Sequence, residues 1–135
     1  MIFIDSAIFV SAADESDFLH EDGLAVMQAV DERKLPTAIT TDFIIDEVLT
    51  LLRRRHTQPN TLSNFVVDAL SSELFTIVYV DEPLLKGSLV NFRKYEKLSF
   101  TDAVSLTTMK QYRIKEIFSH DTDFDLNGII RKERP

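Results

Sequence analysis

Apolar residues fall along this chain in two rhythms. Short β-branched or continuous apolar runs occur at Ile2-Phe3-Ile4, Thr37-Ala38-Ile39-Thr40-Thr41, Phe75-Thr76-Ile77-Val78-Tyr79-Val80 and Glu116-Ile117-Phe118-Ser119, and these predict strands. Between them the apolar positions recur at three- and four-residue spacing, which predicts helices. A turn or two is expected over Ser6 to Ala13. Longer helices are expected from Asp22 to Arg33, from Thr41-Asp42 to about Arg55, from Thr61 to Ser72, from Asp81-Glu82-Pro83 to about Tyr95, and from Ser99 to about Tyr112. Pro59-Asn60 is expected to stop the chain, Asp14 to Asp17 and Asp121 to Asp125 to form polar loops, and Ile129-Ile130 to add a last edge strand. Strands alternating with helices give an α/β fold. The expected form is a three-layer α/β/α sandwich around a central, mostly parallel sheet of four to five strands. With 135 residues and no internal repeat, residues 1–135 are expected to make one domain.

The first strand ends abruptly in a carboxylate, Asp5. In open α/β sheets the carboxyl edge of the strands is where ligands bind. Alone, Asp5 reads as a turn residue or a helix cap, so a functional reading needs partners. Asp121 follows a strand in the same way. Glu47 lines up along its helix with Phe43, Ile44 and Leu51, on or beside the apolar stripe, whereas Asp46 lines up with Asp42, Thr50 and Arg53 on the polar one. An inward carboxylate normally has a cation or donor waiting, which makes Glu47 the candidate and Asp46 a solvated surface residue. Asp102 heads a stripe containing Leu106 and Met109, and Ser99 or Thr101 is available to cap, leaving the Asp102 carboxylate for other work. Asp121, Asp123 and Asp125 alternate, but a calcium loop needs Gly at its sixth position and Glu at its twelfth. Here those positions are Leu126 and Lys132. Asp123 is kept as an accessory and Asp125 as a turn residue.

Composition narrows the chemistry. The chain has no cysteine, so disulfides and thiolate metal sites are excluded. His20, His56 and His120 show no metal-ligand spacing. Clustered carboxylates without Cys or His suit a hard cation, Mg²⁺ or Mn²⁺. The net charge of −7 argues against nucleic acid at first sight, but acids gathered to hold divalent cations count as negative when empty and attract phosphate when loaded. No G-x-G-x-x-G, P-loop or G-x-S-x-G is present. No window approaches the length of a spanning helix and no leader pattern opens the chain, so no membrane partner and a cytoplasmic location are expected.

Four short stretches carry a family resemblance: Ile4-Asp5-Ser6, Glu47 within Ile45-Asp46-Glu47-Val48-Leu49-Thr50, Ser99-Phe100-Thr101-Asp102-Ala103, and Ser119-His120-Asp121-Thr122-Asp123-Phe124-Asp125. In this order and on these elements, the chain resembles the PIN-domain ribonucleases, in particular the VapC-like toxins of prokaryotic toxin–antitoxin pairs, over essentially its whole length. The resemblance implies an endoribonuclease. Asp5, Glu47, Asp102 and Asp121 would gather one or two Mg²⁺ or Mn²⁺ ions, with Asp123 as an accessory. Ser6, Thr101 and Ser119 would orient ligands or waters. It further implies an RNA substrate, a cognate antitoxin that fills the cleft, and a homodimer, for which the segments Thr61 to Leu70 and Leu84 to Phe92 offer apolar faces. Arg53, Arg54, Arg55, Arg93 and Lys94 are candidates to hold flanking RNA.

Other readings differ in what they need. A DNA nuclease of flap-endonuclease type usually carries more acids and added helices. A non-toxin PIN-fold RNA-binding module, or a housekeeping nuclease, shares the architecture, and the binding module would be favoured by a lost acid. A haloacid-dehalogenase-type phosphotransferase would want D-x-D at Asp5, where residue 7 is Ala. A receiver domain would want a Lys after a late strand, where His120 and Asp121 stand.

Overall fold

The structure, a computed structural model, describes residues 1–55 and 57–135, with the side chains at 59, 62, 63, 65, 66 and 69 also left aside. His56 and most of the apolar stripe expected between Thr61 and Ser72 therefore lie outside the described residues. Among the described residues there are five strands: β1 (Ile2–Ile4), β2 (Ala38–Thr41), β3 (Phe75–Val78), β4 (Glu116–Phe118) and β5 (Ile130–Lys132). They form one sheet in the order β3-β2-β1-β4-β5, and every pair is parallel. Six α-helices accompany them: α1 (Ser6–Ala13), α2 (His20–Asp31), α3 (Asp42–Arg54), α4 (Pro59–Ser71), α5 (Glu82–Lys94) and α6 (Phe100–Gln111).

All three residues of β1 are fully buried. Successive strand side chains point to opposite faces, so both faces of the sheet centre are covered, as a parallel sheet requires. The core runs through Phe3, Ile8, Val26, Ile39, Ile44, Leu52, Met109, Phe118 and Phe124. The α/β sandwich expected from the sequence is the one observed.

Local chemistry explains most boundaries. Thr41 Oγ1 accepts from the Ile44 amide at 3.2 Å and caps α3, whose buried Ile44, Val48 and Leu52 recur every four residues. Asp81 caps α5 in the same manner. Pro59 does not stop the chain. It sits in the first turn of α4, where a missing N–H is tolerated. The last strand lies at Ile130–Lys132 and not at Ile129-Ile130, because its register is set by pairing with β4: Ile117 opposes Arg131 and Phe118 opposes Lys132.

The connections make β1 the turning point of the topology. From β1 the chain winds outward through β2 to β3, then crosses to the other side of β1 for β4 and β5. A crevice opens at such a reversal, outside the carboxyl ends of the two central strands. Here those strands are β1 and β4, and they end in Asp5 and Ser119. Helix α1 leaves from Asp5 and packs extensively on α2. Their approach depends on Gly23, where a Cβ would stand 2.3 Å from Ser11 Oγ and 2.6 Å from the Ala12 amide nitrogen.

Candidate active site

A cleft of about 430 Å³ lies over this reversal, lined by Asp5, Glu47, Asp102 and Asp121 together with Ser6, Ser99 and His120. Each acid arrives on a different element. Asp5 ends β1, Glu47 projects from α3, Asp102 lies in the first turn of α6, and Asp121 follows β4. Asp46 is exposed and Glu47 half-buried, as the helical register predicts.

Asp5 has 3% exposure. Its Oδ2 accepts a 2.6 Å hydrogen bond from Ser119 Oγ, while its Oδ1 is buried with no hydrogen-bond partner. The same Ser119 oxygen accepts from the Asp121 amide at 2.9 Å, so one hydroxyl ties the ends of β1 and β4 together. Ser119 is held in turn: its amide donates to Lys132 O at 3.0 Å, and Arg131 Nη1 reaches its carbonyl at 3.2 Å. Burial pushes the Asp5 carboxyl up from the ordinary 3.8 to about 7. The Ser119 hydrogen bond opposes the rise, and the charges of Asp102 and Glu47 add to it.

Asp102 is not left free by its cap. Ser99 Oγ accepts from the Asp102 amide at 3.1 Å, and Asp102 Oδ2 accepts from the Ser99 amide at 2.8 Å, a reciprocal capping box. One carboxylate oxygen is thus committed to the helix end. Burial also raises the Asp102 carboxyl, against those hydrogen bonds and with the Asp121 and Glu47 charges adding. Asp121 Oδ1 accepts from the Asp123 amide at 2.8 Å. Asp123 does not line the cleft and lies 3.7 Å from Lys97 Nζ. Thr101 does not line it either; its carbonyl accepts from Ser105 Oγ. His120 does line it, with Nε2 3.4 Å from Ser11 Oγ and Nδ1 buried without a partner.

The four acids share the cleft without closing on one point. Among the described residues no three His, Asp or Glu side chains converge tightly enough to enclose an ion. That does not disqualify the donor set. Mg²⁺ keeps several waters and takes only one or two carboxylates directly. The ligands on offer are hard oxygens, one of them the buried, unpartnered Asp5 Oδ1.

Two features of the rim were not expected, the pairing of Arg55 and the exposure of Phe18. Arg55 Nη1 bonds both Asp14 Oδ2 at 2.8 Å and Asp17 Oδ2 at 2.6 Å, bracing the loop between α1 and α2 against the end of α3. That pairing takes Arg55 from the RNA-holding role its sequence suggested. Phe18, in the same loop, also lines the cleft. Its signal in the sequence is a lone aromatic directly after Asp14-Glu15-Ser16-Asp17, where no core is near.

The Asp5 environment sets a pH dependence. A carboxyl whose pKa is raised by folding holds its proton in the native state while the unfolded chain has released it. Stability therefore falls as pH rises from about 4 to about 7. In EDTA, Asp5→Asn is expected to exceed the parent in stability at pH 8 by about 2–4 kcal/mol, with the gap closing toward pH 4. Urea unfolding at the two pH values measures it. Equal stability at pH 8 would mean that Asp5 is not strained by burial.

The family model for the PIN domain matches residues 2–129. The chain is 31% identical over 131 residues to a VapC ribonuclease of Archaeoglobus fulgidus, covering 95% of this chain and 81% of that protein. Among solved structures, VapC20 of Mycobacterium tuberculosis, a sarcin-ricin-loop-cleaving toxin, superposes with a TM-score of 0.83 at 22% identity, covering 100% of both chains. A chain of a toxin–antitoxin complex from Klebsiella pneumoniae gives 0.68 at 20% identity, covering 96% of each. With the family model spanning nearly its whole length, the chain belongs to the PIN-domain family, as a relative of the VapC ribonucleases.

Proposed function

We propose that this protein is a Mg²⁺- or Mn²⁺-dependent endoribonuclease that hydrolyses RNA phosphodiesters through Asp5, Glu47, Asp102 and Asp121, and that it is the toxin of a VapBC-type toxin–antitoxin pair. The observation that carries the reading is the convergence of four carboxylates from four elements on one cleft at the sheet's reversal. Toxin and antitoxin enter through the VapC relative and the Klebsiella complex.

Asp5 Oδ1 and the carboxylates of Glu47, Asp102 and Asp121 are the groups that would hold the cation. When bound, Mg²⁺ or Mn²⁺ supplies a water of lowered pKa and offsets charge on the phosphate. The chain's own residues do the positioning. Ser119 fixes the rotation of Asp5 through Oδ2 and leaves Oδ1 without a hydrogen-bond partner. The capping box fixes Asp102, and the Asp123 amide fixes Asp121. No side-chain nucleophile is required. Ser6 lines the cleft beside Asp5, where its hydroxyl can orient a water. Asp123 and Thr101, outside the cleft lining, act only through the turn and the helix that carry Asp121 and Asp102.

The exposed apolar residues Leu85, Leu89, Val90 and Phe92 on α5 support the homodimer reading. No helix among the described residues is long and apolar enough to cross a membrane, and the cytoplasm, where RNA is met, is the proposed site of action.

The nuclease reading is tested by incubating the protein with structured and single-stranded RNAs in Mg²⁺, Mn²⁺ or EDTA. Cleavage is expected with either metal and none with EDTA or in Asp102→Asn. Removing a group that only orients a metal ligand typically lowers activity about 10–100-fold. Ser119→Ala is expected in that range and Glu47→Gln beyond it, with Asp46→Asn near the parent. Equal losses at positions 46 and 47 would put α3 in the wrong register. RNA binding without any cleavage would favour the binding module. For the dimer, sedimentation equilibrium is expected to give two chains for the parent and one for Leu89→Glu; a monomeric parent would remove that part.

A further inference from the structure

The cleft has a feature that four carboxylates leave unexplained. Phe18 is 92% exposed, the highest value for any large apolar side chain among the described residues, yet it lines the same cavity as the acids. Loops usually present polar residues to water, and a phenylalanine left there forgoes its burial.

The ring is nevertheless carried by a well-tied loop. Arg55 Nη1 bridges Asp14 and Asp17 on the near side of it. Asp17 Oδ1 accepts from the Leu19 amide at 2.9 Å on the far side, and the His20 amide donates to the Asp17 carbonyl at 3.0 Å. Asp14 Oδ1 holds both the amide and the hydroxyl of Ser16. Phe18 is thus bracketed by fixed residues while its own side chain stands in solvent. Binding to a braced group loses less freedom than binding to a mobile one.

Position adds to this. Arg55 follows Glu47 by eight residues along α3 and its C-cap, roughly 12 Å at helical rise. Arg55 grips the loop that carries Phe18, which ties that loop to the C-terminal end of α3. Arg53 and Arg54, both exposed, lie at the same end of α3. An exposed aromatic face in the same cleft as a phosphate-handling centre matches single-stranded nucleic acid. Unpaired bases stack on aromatic rings while cations track the backbone. Of the other apolar residues lining the cavity, Val10 is buried and Ala7, Leu19 and Leu51 are half-buried, so the exposed apolar surface is concentrated in the one ring, whereas a protein segment would call for a wider exposed patch.

We propose that Phe18 is a base-stacking platform that positions single-stranded RNA in the cleft, holding an unpaired base beyond the nucleotide at the acids, with Arg55 as the brace that presents it. The proposal rests on the nuclease reading and adds a specificity-determining residue to it.

The chain has no tryptophan, so Phe18→Trp both keeps a stacking face and installs a single fluorescent reporter. Binding is measured by anisotropy of a fluorescein-labelled adenosine 12-mer RNA and of an abasic ribose-phosphate 12-mer. The proteins are Phe18→Ala, Phe18→Leu and Phe18→Trp, each in an Asp102→Asn background that prevents cleavage, beside that background alone. Loss of one stacked base is expected to weaken adenosine 12-mer binding about tenfold in Phe18→Ala. Phe18→Leu is expected to restore little and Phe18→Trp all of it, with indole fluorescence quenched on RNA addition. Abasic 12-mer binding is expected to be the same in all four proteins. Because the ring is exposed, thermal unfolding should not move, which separates this effect from misfolding. Equal adenosine 12-mer binding with and without the ring would overturn the proposal and leave Phe18 to a protein partner. In that event metal-dependent cleavage by the parent still stands, whereas absence of both cleavage and RNA binding in the parent would remove the nuclease reading and this one with it.

Discussion

A carboxylate taken out of water must be met by donors or cations, or give up its charge. Asp5 is met by one hydroxyl, Ser119 Oγ, on one of its two oxygens. The other is buried without a partner, and the further charges of the cleft that Asp5 lines, Glu47, Asp102 and Asp121, are of the same sign. That is an unfavourable arrangement for a resting fold and a favourable one for capturing a hard cation. The strain sits at the centre of the sheet, where backbone pairing holds Asp5 from both sides. Phe3 in β1 pairs with both Ile39 and Ile117, and the Asp5 amide continues the ladder to the Phe118 carbonyl at 3.1 Å.

The rest of the site is built so that each acid keeps its place against its neighbours. Ser119 is the joint, donating to Asp5 and accepting from the Asp121 amide, with Arg131 steadying its carbonyl from the adjacent strand. Asp102 closes its own helix end, and the α3 stripe Ile44, Val48 and Leu52 sets the height of Glu47. The acids are separated enough that they do not enclose an ion by themselves. Hydrated Mg²⁺, with only a few direct carboxylate contacts, suits such a spacing better than an ion that needs a full protein cage.

Much of this was legible in the sequence, for stateable reasons. Strand ends, helical register and cap chemistry are local, so Asp5, Glu47, Asp102 and Asp121 could be placed on the right elements and Asp46 set aside. The sheet was legible as parallel from the alternation of strands and helices. What depended on distant pairs was not. The Arg55 bridge to Asp14 and Asp17 joins residues about forty positions apart, and nothing in Arg53-Arg54-Arg55 says which guanidinium turns inward. The reciprocal bond of Asp102 to the Ser99 amide is not legible either, because a capping box is signalled by Glu or Gln at the third helical position and Asp stands there. Asp123 alternates with Asp121 and Asp125 along an expected loop, which is what makes it an accessory candidate in the sequence. The chain there turns into a 3-10 helix over Thr122–Phe124, and its side chain goes to Lys97. Pro59 was read as a stop when its position allowed it to start a helix.

The four carboxylates are proposed to form a cation site organised by Asp5. The measurement that tests it most directly is calorimetric titration of Mn²⁺ into the parent protein and into Asp5→Asn at pH 8, each unfolded and refolded to show the fold intact. The account predicts saturable binding by the parent and its loss, or a weakening of more than about tenfold, in Asp5→Asn. Equal binding by the two proteins would contradict it, because the cation would then be held without the residue around which the site is built.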